Sequence, residues 1–233
     1  MATFGLVHGG MHGAAHWERL RPELDVRGHE SLVVDLPCED AEATLDDYRE
    51  AALAAFADAP DDVLLVGHSF GGTTIPLVAE RRPVAKLIFL CAVFPNLGRS
   101  LVESAAERPG MVPPTSPTGR PHGEGRVLAP HEEARAAFYH DCDEAEVAWA
   151  VARLRPQGTA TQHEVWPLEA WPDVPAHYIY GREDRCVSAG WVEREMEGLL
   201  GTPPLPLDGS HSPFLARPAE LADLLDRLAR AEA

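Results

Sequence analysis

The chain has 233 residues, 45% of them hydrophobic, and 37 acidic against 20 basic side chains leave a net charge of −17. A length of this order suits one α/β unit and buries roughly three quarters of its unfolded surface, so neither disulfides nor a structural metal is needed to hold it. The acidity repels phosphate backbones and anionic lipid, which argues against nucleic acid and membrane surfaces as partners and favours a neutral ligand.

In chain order, residues 4–8, 31–36, 63–67 and 87–93 are short, nearly continuous apolar runs, as expected of strands buried on both faces. Helical patterns separate them. Residues 44–59 are Ala-rich, with Thr44 as N-cap and Asp46 and Asp47 in the first turn. A second helix is expected over 70–82, kinked by Pro76 and stopped before Pro83. This β-α-β-α alternation implies a parallel sheet with right-handed crossovers. It lapses after Phe94. Residues 97–130 are rich in Pro, Gly and Ser and read as a long loop, and 131–155 read as helical. The alternation resumes with a strand at 176–181, a helix near 189–200, a strand at 204–207 and a last helix over 218–229. The expected organisation is therefore a core in two pieces, residues 1–95 and 172–233, interrupted by a mostly helical insertion at 96–171.

The start of the chain lacks the basic segment and the roughly 7–15-residue apolar stretch of a secretory signal. The longest apolar run, residues 87–94, is far short of the ~20 residues that span a membrane. Cys38, Cys91, Cys142 and Cys186 are widely separated, which suits free thiols in a reducing compartment. A cytoplasmic protein is the expectation.

The chemistry concentrates at three turns. Gly67-His68-Ser69-Phe70-Gly71-Gly72 follows a strand and precedes a helix. A strand-to-helix turn that sharp needs small flanking residues, and it exposes the Ser69 hydroxyl at the C-terminal edge of the sheet with the Phe70 N–H at a helix start, where it can meet an oxyanion. A serine hydroxyl needs a base. His211 follows the last strand and so lies at that same edge, whereas His68, adjacent to the serine on the turn, reads as structural. A carboxylate must hold the base's tautomer. Asp184, just past the fifth core strand, is the best placed; Glu183 is one position off and Asp173 lies at the opposite edge. The first strand ends in His8-Gly9-Gly10-Met11-His12-Gly13, whose glycines let backbone approach a ligand, and Gly10 N–H is the candidate second oxyanion donor. The four-residue spacing of His8, His12 and His16 suggests metal ligation, but the intervening glycines argue against one helix and no His-Glu-x-x-His pattern appears. His8 reads as a loop brace. Arg81, Arg82, Arg182 and Arg185 read as solvated surface, and Phe94, Trp149 and Trp166 as ordinary core or pocket walls.

With these residues in place, the chain resembles the α/β-hydrolase superfamily. Within it, the resemblance is to the small branch of plant methylesterases, plant hydroxynitrile lyases and bacterial esterase relatives. It rests on the stretch from Leu6 to Ala14, the Gly67–Gly72 turn, Asp184 and Gly209-Ser210-His211. The resemblance implies core strand order 2-1-3-4-5-6, a helical cap over the site and a Ser69-His211-Asp184 triad acting without metal or organic cofactor on a small ester. The lyases carry a lysine after the catalytic histidine and a threonine in the first loop; here Ser212 and Gly9 stand there. Ester hydrolysis is therefore the first expectation. A carbon–carbon lyase on the same triad and a non-catalytic small-ligand binder are the alternatives. The oligomeric state, a homodimer included, stays open.

Overall fold

The structure is a computed structural model that describes residues 1–231. Its strands are β1 (Thr3–Val7), β2 (Glu30–Val34), β3 (Leu64–His68), β4 (Lys86–Leu90), β5 (Arg120–Pro121), β6 (Arg126–Leu128), β7 (Gln157–Gly158), β8 (Ala176–Gly181) and β9 (Leu205–Leu207). Six of them form one sheet in the order β2-β1-β3-β4-β8-β9. Counting only these six along the chain, the order is 2-1-3-4-5-6, and every pairing is parallel. All six C-terminal ends therefore meet at one edge, with a switch point between β1 and β3 where ligands of such sheets bind.

Side chains alternate across the sheet. Leu65, Leu87, Phe89 and Tyr178 pack with Tyr48, Val78, Val192 and Met196 from the helices Leu45–Ala55, Ile75–Arg81 and Ala189–Leu200. Phe4, Leu6, Val66, Ile88 and Ile179 face the other way, onto Leu20, Leu24, Leu221 and Leu225 from Leu20–Val26 and Pro218–Arg230. With both faces covered, the inner strands β1, β3, β4 and β8 lack the polar alternation of a half-exposed sheet.

Local signals explain most helix limits. Thr44 accepts from Asp47 N–H at 3.1 Å while the Asp47 carboxylate accepts from Thr44 N–H at 2.8 Å, a reciprocal cap. Gly201, at φ 71, ends Ala189–Leu200. Several expectations are corrected. The stretch 70–82 is not one helix: a 3₁₀ turn, Ser69–Thr73, gives way to the helix Ile75–Arg81. Pro76 sits in that helix's first turn, where its missing N–H has no partner in any case, so it starts the helix instead of kinking it. Residues 97–130 hold the helix Leu101–Glu107, capped by Ser100 and Glu103, as well as β5 and β6. The 131–155 stretch divides into His131–Phe138 and Glu144–Val151, because Asp143 caps a new start. Arg82 is not mere solvated surface; its guanidinium donates to the carbonyls of Phe56, Ala59 and Pro60 beyond the end of Leu45–Ala55. β5, β6 and β7 form a small antiparallel sheet. No helix among the described residues is long and apolar enough to cross a membrane.

Two glycines give opposite expectations. A Cβ on Gly71 would meet the Val7 and His8 carbonyl oxygens at 2.6 and 2.7 Å, whereas one on Gly198, inside a helix, would meet nothing within 4 Å. Gly71→Ala should cost about 1–3 kcal/mol, lowering Tm by several degrees, and Gly198→Ala should raise stability by about 0.5–1 kcal/mol. Thermal unfolding of the two variants checks both signs.

Candidate active site

The turn after β3 puts Ser69 at φ 50, the left-handed region that a non-glycine residue enters only when its surroundings enforce it. The enforcement is steric. A Cβ on Gly67 would stand 2.6 Å from Gly71 O, and one on Gly9 would stand 2.8 Å from Ser69 Cβ. The turn thus closes on itself and against the loop after β1. Ser69 is half-buried and lines a cavity of about 280 Å³ together with Gly10, Met11, Phe70, Phe138, Gln157 and His211. The remaining walls are mostly apolar, among them Leu101, Val102, Ala105, Val112 and Val187. Among the described residues, no Lys, Arg, Asp or Glu lines it.

His211 lies beyond β9 and Asp184 beyond β8, and the structure brings the two together. His211 Nδ1 lies 3.0 and 2.9 Å from the two Asp184 oxygens, and both side chains are buried. Asp184 Oδ1 also accepts from the N–H groups of Cys186 (2.7 Å) and Val187 (3.1 Å), so the carboxylate is fixed from two directions. Glu183 is exposed, its carboxylate 3.9 Å from His140 Nε2. Gly181 makes the approach of the two loops possible: a Cβ there would run into Ser210 O and stand 2.7 Å from Gly209 O. The His211 loop is tied to the insertion as well. Ser210 N–H donates to Asp141 Oδ2 at 3.0 Å, and Ser210 Oγ donates to Phe138 O at 3.1 Å.

Gly10 and Phe70 flank the cavity on the same side as Ser69. A Cβ on Gly10 would be 3.8 Å from Phe70 Cβ. The Phe70 N–H sits in the first turn after β3, where the first N–H groups have no helical acceptor. Phe94 and Trp166 do not line this cavity; Phe94 stacks on Trp171 and Trp166 packs tilted against it, at ring distances of 4.4 and 4.7 Å. Trp149 packs against His16.

Behind these loops lies a cluster of buried histidines. His8 donates from Nδ1 to Gly9 O (2.8 Å) and accepts Leu36 N–H at Nε2 (3.0 Å). His12 donates to Gly10 O (2.7 Å) and accepts from Tyr139 O–H (2.9 Å). His16 accepts Gly13 N–H (3.1 Å) and donates to Ala150 O (3.2 Å). His68 donates to the backbone carbonyl of His211 at 2.9 Å. The ring nitrogens of His8, His12 and His16 are thus committed to the protein and not free for a metal. Burial is the main cause that pushes His8 and His16 down to about 4 and holds His12 and His68 well below the ordinary value. Cys91, at φ 47, presents its sulfur within 4.8 Å of ligand atoms of Asp184 and His211. Burial and the Asp184 carboxylate push that thiol well above its usual value, so it stays protonated and is a poor metal ligand.

Gln157, Tyr139, Asp141 and Phe138, which all hold or line the site, escaped the sequence reading. They lie in the insertion, and no local motif marks them; each meets its partner across 69 or more positions of sequence.

A family model described as "Alpha/beta hydrolase family" matches residues 6–224. The chain is 26% identical over 250 residues to alpha-hydroxynitrile lyase from Arabidopsis thaliana, covering 97% of this chain and 96% of that protein. It is 27% identical over 247 residues to polyneuridine aldehyde esterase from Rauvolfia serpentina, covering 95% and 93%. The crystal structure of polyneuridine aldehyde esterase superposes with a TM-score of 0.82 over 98% of this chain and 99% of that one, at 24% identity.

The histidine cluster predicts acid lability. Above pH ~6.5 these side chains are neutral in both folded and unfolded chains, and pH has no leverage through them. Below it the unfolded chain takes up protons that the folded one refuses until about pH 4, so stability falls across that window, by on the order of 3 kcal/mol for each of His8 and His16. Denaturant unfolding at a series of pH values should show a midpoint that is flat above pH 7 and drops steeply between 6.5 and 4. A flat midpoint through that window would refute the assignment of neutral, buried imidazoles.

Proposed function

The chain belongs to the α/β-hydrolase family, and from that premise we propose that it is a serine esterase cleaving small, neutral carboxylic esters. The observation that carries this reading is the buried His211–Asp184 pair, 2.9 Å apart, at the same cavity as a left-handed Ser69. The esterase named among its relatives supports the same chemistry.

In this reading Ser69 Oγ attacks the ester carbonyl carbon while His211 Nε2 takes the hydroxyl proton. Asp184, bonded to Nδ1, holds the tautomer and stabilises the imidazolium that forms. The Gly10 and Phe70 N–H groups receive the charge that develops on the carbonyl oxygen. The tetrahedral adduct collapses, the C–O bond to the alcohol breaks, and His211 returns its proton to the leaving oxygen. Water then attacks the acyl-enzyme with His211 again as base, releasing the acid and restoring Ser69. Every proton is accounted for within the triad and no step calls for a cofactor. A cavity of about 280 Å³ with mostly apolar walls and, among the described residues, no Lys, Arg, Asp or Glu in its lining suits a small uncharged ester, and a carboxylate-bearing one would lose its hydration there without a Lys or Arg to meet it.

Carbon–carbon lyase chemistry on the same triad is the second reading, prompted by the relative named alpha-hydroxynitrile lyase. Three features count against it. A buried Ser212 follows His211, and among the described residues no Lys or Arg lines the cavity to receive a cyanide leaving group. A Cβ on Gly9 would also collide with His68 Nδ1 and Ser69 Cβ, both at 2.8 Å, so the lyases' threonine has no room.

Intact mass after exposure to a fluorophosphonate should show one adduct on the wild type and none on Ser69→Ala. Asp184→Asn should slow hydrolysis of a p-nitrophenyl ester by on the order of 10⁴-fold while leaving the fold intact. Turnover surviving in Ser69→Ala, or cyanide release from mandelonitrile outpacing ester cleavage, would overturn the reading.

A further inference from the structure

The loop that bears Gly10 is held from outside the sheet. Met11, its neighbour, adopts φ 63. For a side-chain-bearing residue that conformation is unfavourable and persists only under external constraint. The constraint comes from residues 155–157 of the insertion. Met11 N–H donates to Gln157 Oε1 at 3.2 Å, and Met11 O accepts from Arg155 N–H at 2.8 Å. The other end of the Gly10–Met11 peptide, Gly10 O, accepts from His12 Nδ1 at 2.7 Å. One peptide plane is therefore clamped at both ends, by a side chain of its own loop and by a side chain of the insertion.

Gln157 is itself immobilised. It is buried, and its Nε2 donates to Tyr48 Oη and to Gly158 O, both at 2.9 Å. With the carboxamide nitrogen satisfied by two acceptors, the oxygen can only face Met11. A flip would set two donors against the Met11 N–H and strand a buried acceptor.

We propose that Gln157 is a positioning residue that sets the aim of the Gly10 N–H at the oxyanion, acting through Met11; the inference rests on the esterase reading above. The Gly10 N–H belongs to the peptide plane next to the one Gln157 clamps. Releasing Met11 from its left-handed conformation rotates that N–H relative to Ser69. The ground-state ester gains little from this N–H, whereas the oxyanion gains most from it, so the effect falls on the transition state. A residue that merely pinned the insertion would instead lower stability and raise KM.

The test compares Gln157→Met, which removes the acceptor at similar volume, with Gln157→Glu, which keeps an oxygen toward Met11 N–H. Steady-state kinetics on the best of a p-nitrophenyl ester series are read beside affinity for a trifluoromethyl ketone, whose adduct with Ser69 carries an oxyanion. Gln157→Met should lower kcat by on the order of 10- to 100-fold with KM within about threefold, and weaken ketone binding by a matching factor. Gln157→Glu should recover most of both. A folded Gln157→Met with kcat and ketone affinity within about twofold of wild type overturns the proposal, as does a loss confined to KM or a Gln157→Glu no better than Gln157→Met. Should Gln157→Met fail to fold, Gln157→Asn, one methylene short of Met11, is read in its place. Ser69→Ala run in parallel separates the two ideas. Turnover that survives it overturns the esterase reading, and turnover that it abolishes beside an unimpaired Gln157→Met overturns only the role of Gln157.

Discussion

At Gly71 the turn after β3 lies so close to the end of β1 that a Cβ would meet two carbonyl oxygens within 2.7 Å. At Gly181 the end of β8 lies equally close to the backbone of residues 209 and 210. These two approaches set the dimensions of the site. The first brings the loop of Gly9 and Gly10 against Ser69; the second brings the loop of His211 against that of Asp184. Parallel pairing delivers all four loops to one edge of the sheet, but only backbone without side chains lets them converge to hydrogen-bonding distance. The left-handed φ values of Ser69 and Cys91, at the ends of adjacent strands, belong to the same crowding. Such strain persists where surrounding packing over-determines it.

The insertion does more than roof the cavity. Its residue 157 clamps the first loop and its residues 138 and 141 hold the loop of His211, so two of the four loops at the candidate site are braced by the insertion. Tyr139 extends the bracing by donating to His12, which in turn donates to Gly10 O. The Ser69 turn and the Asp184 carboxylate are braced from within the core by contrast, through Gly67, Gly71 and the N–H groups of Cys186 and Val187. On the proposal made for Gln157, changes in the insertion would reach the chemistry through backbone aim as well as through the shape of the cavity.

This division also explains what was legible in the sequence. The four inner strands stand out because burial on both faces writes nearly continuous apolar runs. Their limits shift by up to three residues because an apolar run does not mark where pairing stops: Cys91 to Val93 continue the run after β4 has ended. Ser69, Asp184 and His211 could be singled out because a parallel sheet ties position in the chain to position at an edge. Gln157 could not, since the role proposed for it comes from a contact with Met11, 146 positions away, and from nothing in its own neighbourhood. The helix Leu101–Glu107 was legible in principle, from Ser100 and Glu103 at capping spacing, but the prolines and glycines after it masked the signal.

The buried histidines follow the same logic of bracing. Burying an imidazole lowers its pKa and forfeits its charge, which looks like waste in a chain that carries a net charge of −17. A neutral imidazole, however, is the one side chain that presents a donor and an acceptor on opposite sides of a rigid ring. His8 uses this to join Gly9 O to Leu36 N–H, and His16 to join Ala150 O to Gly13 N–H. A protonated ring would have two donors and would abandon the N–H or O–H it now accepts, so the bracing exists only in the neutral state. Burial, which enforces neutrality, is therefore the condition that makes these histidines useful as struts. The acid side of the pH scale, by protonating these rings, dismantles the loops from behind.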